Sequence, residues 1–177
     1  MKKTILTFAI GITSSLLLAQ VKTTQSHFFD SKTLLAMVRF DDPTLYKNSK
    51  TAPMNEVNAK AVRDFKKIFK DAVDEKWYEI PNAFLAEYVC NDKKNVVVYN
   101  RKGKWEFTIS YYDGKNLPED VRGDVKRVYY DYNINRVEEI HLDDKTIYVV
   151  HIENETTLKN VRFCDGEMEV IEDFNKK

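Results

Sequence analysis

The chain has 177 residues, room for one domain of ordinary size and a short appendage. Hydrophobic residues make up 43% and charged residues 32%, with little Gly or Pro, which argues for a packed core and against a disordered chain. The 28 basic residues balance the 28 acidic ones, so the clustered positive charge that nucleic acid would require is missing and no such partner is expected.

Met1-Lys2-Lys3 forms a short positive segment, followed by a largely apolar run from Ile5 to Leu18 and a small residue, Ala19, ahead of Gln20. This order predicts a cleavable signal peptide over residues 1–19. An uncleaved anchor is the other reading, but the run is broken by hydroxyls and is shorter than the roughly 20 residues that span a bilayer. No Cys follows it, which argues against lipid modification, and no later segment is apolar enough to span a membrane. Export would leave 26 basic residues against 28 acidic ones, in a setting where Cys90 and Cys164 could pair. A disulfide and two separate thiols both remain open, since pairing depends on a Cα separation under about 7 Å.

Residues 20–54 read as an irregular leader that packs weakly or not at all. It is polar from Val21 to Asp30, has a short apolar stretch from Leu34 to Phe40, and is loop-like from Asp41 to Pro53. Order is expected from Asn55. Ala61, Val62, Phe65, Ile68, Phe69 and Ala72 recur at helical spacing and predict an amphipathic helix of about four turns. Three strands should follow, at Phe84–Val89, Val96–Tyr99 and Trp105–Tyr111. In the last, the alternation predicts Trp105, Phe107 and Ile109 together on one face.

The pattern then restarts. Asn116-Leu117-Pro118-Glu119 predicts a helix start with Asn116 as cap, and Val121, Val125, Val128, Tyr129 and Tyr132 continue at helical spacing. Strands are expected at Val137–Leu142, Ile147–Glu153, Leu158–Cys164 and Met168–Ile171. Asp165-Gly166 is a strong two-residue hairpin signal.

Site chemistry is sparse. There is no G-x-S-x-G, no H-E-x-x-H and no Gly-rich phosphate loop, so neither cofactor nor metal is expected. His27, His141 and His151 are scattered, and His141 and His151 fall out of register across their hairpin. A nucleophilic pair of Cys90 or Cys164 with His151 lacks a located base. Glu138-Glu139, Asp143-Asp144 and the acids from Glu167 to Asp173 read as solvated strand faces. Aromatic residues reach 12%, and adjacent tyrosines stand out. One of Tyr111 and Tyr112 should face outward from its strand, and Tyr130 falls off the apolar stripe of the second helix. Tyrosine suits recognition surfaces, having an apolar ring and a polar tip, so Tyr111, Tyr112 and Tyr130 are the candidate binding residues.

The runs AVRDFKKIFKDAVDEKWYEI, FLAEY, NRKGKWEFTISYYDGKNLPEDV, YYDYNINRVEEI and YVVHIENETTLKNVRFCDGEMEVIEDF carry a resemblance. In this order, over roughly residues 56–174, they resemble the PepSY-like family, exported bacterial domains with a fold like that of β-lactamase-inhibitor protein. The marks are the helix running into Trp77, the aromatic strand with Trp105, the Leu117-Pro118 helix start and the segment Tyr132–Ile140. The resemblance implies a tandem α-β fold with one sheet and two helices, and brings no catalytic residues.

The expected whole is an α+β domain over 55–175, built as two tandem repeats of one helix plus an antiparallel β-meander, with the helices packed on one face of the sheet. The expected function is an exported, non-catalytic binding or regulatory module in the periplasm or outside the cell. It would be inhibitor-like, meeting an envelope protein or peptide through the sheet face. A small envelope hydrolase, motivated by the acidic pairs and cysteines, and a structural or stress-related envelope protein are the other classes.

Overall fold

The computed structural model describes residues 49–177; the expected signal peptide and the leader up to residue 48 lie outside this range. The described chain runs β1 (Lys50–Thr51), α1 (Ala59–Ile68), β2 (Val73–Ile80), β3 (Ala83–Cys90), β4 (Lys93–Asn100), β5 (Trp105–Asp113), α2 (Glu119–Val128), β6 (Asn133–His141), β7 (Thr146–Glu153), β8 (Thr157–Cys164) and β9 (Glu167–Asn175). All nine strands form one antiparallel sheet in the order of the sequence.

This corrects the expected pair of tandem helix-plus-meander units. The molecule is mostly sheet, and its ladder does not break at the midpoint. β5 pairs directly with β6, from Thr108 opposite His141 to Asp113 opposite Arg136. β1 and β2, neither of them expected, add two strands at one edge. β2 was hidden because Asp74, Glu75 and Lys76 interrupt its alternation; there Asp74 takes a positive φ of 55° and the register shifts between Val73 and Lys76.

Both helices are ten residues long, shorter than the periodicity implied. α1 starts at Asn58, whose side chain accepts from Lys60 N–H at 2.9 Å, the usual way to satisfy an orphan amide at a helix start. The same side chain donates to the Arg101 carbonyl at 3.0 Å and so fastens the helix to the β4–β5 turn. α2 departs from expectation at its start. Asn116 ends a short 3-10 turn, Pro118 holds the cap position without a side-chain cap, and Glu119 and Asp120 lie in the first turn. Acids there favour the positive end of the helix dipole.

Paired residues of an antiparallel ladder share a face. By register, the α1 cluster (Phe65, Trp77, Ala86, Val97) and the α2 cluster (Val121, Val125, Val137, Val150) lie on the same side of the sheet. Phe65, fully buried, meets Trp77 and Tyr88 edge-on with ring centroids 5.3 and 5.2 Å away. The opposite side carries a third cluster of strand residues, among them Leu85, Val96, Val98, Ile109 and Ile140. A shift in register between Val98 and Tyr99 moves Trp105 off the face of Phe107 and Ile109 and onto the helix side, against the expected alternation.

The hairpins use residues that tolerate a left-handed backbone. Asn91 and Asp92 have φ of 51° and 57°, and Asp165 and Gly166 have 52° and 80°. Gly114 is needed for close approach: a Cβ there would lie 2.6 Å from Ile134 Cγ2 and nearer still to the Ile134 carbonyl oxygen. Gly123, inside α2, has nothing within 4 Å of that position. Gly114→Ala should therefore lower unfolding stability by about 1–3 kcal/mol through overpacking. Gly123→Ala should raise it by roughly 0.5–1 kcal/mol through helix propensity. Urea denaturation of both variants checks the opposite signs.

Candidate functional site

On the helix side, beside the C-terminal end of α1, the sheet leaves a groove of about 570 Å³. Ile68, Phe69, Tyr88, Cys90 and Trp105 give it apolar walls; Asn95, Thr108, Ser110 and His141 form a polar floor, with Lys93 at its margin. α1 ends at Ile68, whose side chain is 56% exposed at the rim. Apolar walls with a few placed polar groups are the usual make-up of a ligand site.

The floor is held by short hydrogen bonds. Ser110 Oγ donates to Asn95 Oδ1 at 2.6 Å, Asn95 Nδ2 donates to the Lys93 carbonyl at 2.8 Å, and Trp105 Nε1 donates to Thr108 Oγ1 at 2.9 Å. Next to them, Tyr112 donates to Glu139 Oε2 at 2.6 Å, and His141 Nε2 lies 2.8 Å from Glu139 Oε1. The Lys93 ammonium sits 4.4 Å from the Tyr112 ring centroid, a cation–π contact.

This network sets the protonation of its members. Burial would raise the Glu139 carboxyl, but hydrogen bonds from His141 and Tyr112, with the charges of His141 and Lys93, outweigh it and hold the group below its ordinary value. The hydrogen bond to Glu139 raises His141 against the opposing effect of burial. Burial first, then the bond to Glu139, keeps the Tyr112 hydroxyl protonated far above neutral pH. Both oxygens of Glu139 are thus engaged by groups of its own strand and of β5, which makes the network a positioning device. Among the described residues, no group of three or more His, Cys, Asp or Glu is arranged to hold a metal ion, and no helix is long and apolar enough to cross a membrane.

The three candidate tyrosines are not brought together. Tyr112 supports the groove floor through Glu139. Tyr111 faces the opposite side of the sheet, where burial and the charges of Glu138 and Glu87 raise its hydroxyl. Tyr111 and Tyr112 both border a shallower hollow with Asp113, Asn135 and Arg136. Neither faces outward as alternation implied, since they are 8% and 7% exposed. Tyr130 lies past the end of α2, stands 80% exposed and adjoins neither tyrosine. Cys90 and Cys164 are free thiols; Cys90 packs with the α1 cluster and Cys164 against the opposite face.

Sequence reasoning missed Glu139, His141, Lys93 and Asn95 as site residues. The i, i+2 spacing of Glu139 and His141 in an alternating strand was the signal available. It also read Glu138 as solvated. That side chain is 1% exposed on the other face, with Oε1 3.1 Å from His151 Nε2 and 3.6 Å from Arg136 Nη2.

Because His141 is raised in the folded state, its contribution to stability is complete below its unfolded value near 6.5 and fades as pH rises through the higher folded value. Glu139 works the other way, contributing above its unfolded value near 4.5 and losing that as pH falls through its lowered value. His141→Gln should accordingly lower the urea midpoint at pH 5.5 and leave it nearly unchanged well above the raised His141 value. A thiol-reactive dye should count two thiols in protein unfolded without reductant.

No family model and no curated protein matches the chain. Solved structures do. A BLIP-like protein from Bacteroides fragilis NCTC 9343 is 17% identical with a TM-score of 0.56, covering 67% of this chain and 86% of its own. A DUF2874 family protein from Bacteroides ovatus ATCC 8483 is 16% identical with a TM-score of 0.56, over 67% and 87%. A protein provisionally named as periplasmic, from Bacteroides eggerthii DSM 20697, is 15% identical with a TM-score of 0.55, over 67% and 88%. At these identities the likeness establishes the fold, and the fold is BLIP-like.

Proposed function

We propose that this chain is an exported, non-catalytic binding protein of the PepSY-like kind, and that the groove beside α1 takes an extended, apolar segment of an envelope protein or peptide. The groove itself carries the reading. Its walls offer Ile68, Phe69 and Trp105 to apolar side chains, while Asn95, Ser110 and Thr108 offer hydrogen-bonding groups to a peptide backbone. Export is supported by the signal-peptide pattern of residues 1–19 and by the periplasmic naming of a protein with the same fold. A non-catalytic role is supported by the way Glu139 and His141 engage each other and Tyr112, which leaves them holding the floor.

In this reading Tyr112 serves binding indirectly, and its removal would disturb the sheet before it disturbed a surface. Tyr130 is the tyrosine that a partner extending past the groove could touch, and Tyr111 belongs to the far face.

The test is fluorescence-polarisation titration against an array of labelled peptides drawn from envelope proteins. Ile68→Asp changes an exposed side chain and should leave the melting temperature within a few degrees while weakening every bound peptide at least ten-fold. Binding that survives Ile68→Asp, or an array with no bound peptide, would overturn the proposal.

A further inference from the structure

The groove beside α1 is uneven in charge. Of the side chains that line it, Lys93 is a cation, His141 can become one, and none is a carboxylate. Glu139 lies next to the floor without lining the groove, and both its oxygens are engaged, by Tyr112 and by His141. Asp92, the neighbour of Lys93 in sequence, is exposed in the β3–β4 turn and does not line the groove. The C-terminal end of α1 would by itself disfavour an anion, but its last turn carries Lys67, exposed, besides Lys66, which pairs with Glu75.

Floor and margin offer different chemistry. Thr108 accepts from Trp105 and keeps its own proton to donate. Asn95 gives one amide proton to the Lys93 carbonyl and keeps the second, while Ser110 spends its proton on Asn95 and keeps lone pairs. Donors and acceptors are both to hand, which suits a neutral peptide group. Lys93 breaks that balance. Its ammonium sits 4.4 Å from the Tyr112 ring centroid, and among the described residues no carboxylate is in ion-pair contact with it. The ring occupies one side of a group with three N–H donors and leaves the rest to a ligand. Because the ring already holds the ammonium, less side-chain freedom is lost when an anion binds. Lys93 and Asn95 are alternate residues of β4, about 7 Å apart along one face of the strand. Alternate side chains of an extended segment have the same spacing, so neighbouring parts of one segment can meet both.

We infer that Lys93 selects an acidic side chain: the segment bound in the groove carries an Asp or Glu within two residues of the apolar residue that Ile68, Phe69 and Trp105 receive. This rests on the reading of the groove as a peptide site and adds the charge that the partner brings. Lys93 is then a specificity residue, while the apolar walls supply affinity common to all segments.

The test compares peptides that differ only at one position, two residues from the apolar anchor, holding Glu, Gln or Lys, with both ends blocked. Fluorescence polarisation with the chain as the cell exports it should show Glu bound about five-fold more tightly than Gln, and Lys more weakly than Gln, as for a partly exposed ion pair. Added salt should narrow the gap. Lys93→Met keeps an apolar stem over the Tyr112 ring and should bring the Glu and Gln peptides within about two-fold of each other. Lys93→Arg should preserve the gap, and Lys93→Glu should make Lys the preferred residue. Equal affinity for Glu and Gln in the unaltered chain overturns the inference and leaves the apolar groove standing. So does a Glu preference that persists in Lys93→Met, because the carboxylate is then read elsewhere. A Gln peptide with a free C-terminus should bind no better than its blocked form; tighter binding there, without a side-chain effect, means that a chain end is read and also overturns the inference. If no peptide of the set binds, the reading of the groove falls and this inference with it. The comparison in the unaltered chain decides even where a variant fails to fold.

Discussion

The β5–β6 ladder is the constraint on which the rest of the molecule depends. These strands are separated in sequence by the 3-10 turn and α2, yet Thr108–Asp113 and Arg136–His141 pair residue against residue. This pairing joins four strands and the short β1 on one side to four on the other, and makes one sheet of them. It also decides which neighbours go where. Ser110 pairs with Glu139 on the helix side, and Tyr111 pairs with Glu138 on the other. A slip of one residue would exchange the two faces and put a carboxylate under a helix.

Two adjacent carboxylates show how far such a register reaches. Glu139 lies beside the groove, where Tyr112 and His141 hold both its oxygens. Glu138, one residue earlier, is buried on the other face, with His151 Nε2 3.1 Å and Arg136 Nη2 3.6 Å from its Oε1.

The groove exists because α1 is short and firmly placed. Asn58 caps its first turn and ties it to Arg101, while Phe65 locks its middle against Trp77 and Tyr88. The chain leaves the helix after Ile68, before the apolar periodicity that extends to Ala72 is used up. The helix therefore stops short of covering β4–β6, and Asn95, Ser110, Thr108 and His141 are left as a floor. The register shift opposite Trp105 adds that indole to the helix side as a wall.

Much of the strand pattern was legible locally. The turns at Asn91-Asp92 and Asp165-Gly166 follow from residues that accept positive φ, and the strands from Val137 onward from apolar runs set between turn residues, because these are preferences of a residue and its near neighbours. The helix periods were legible for the same reason, although their ends were not, since α1 stops where its packing stops. β2 was illegible because it pairs through a charged, irregular stretch, and its strand conformation comes from β3 beside it. The union of all strands in one sheet, the burial of both Tyr111 and Tyr112, and the separation of Glu138 from Glu139 depend on the β5–β6 ladder, whose partners run from Asp113 opposite Arg136 to Thr108 opposite His141 and lie far apart in the sequence. No local preference encodes such contacts, so the sequence alone determined the elements and their turns, and the tertiary structure decided the single sheet, its faces and the groove.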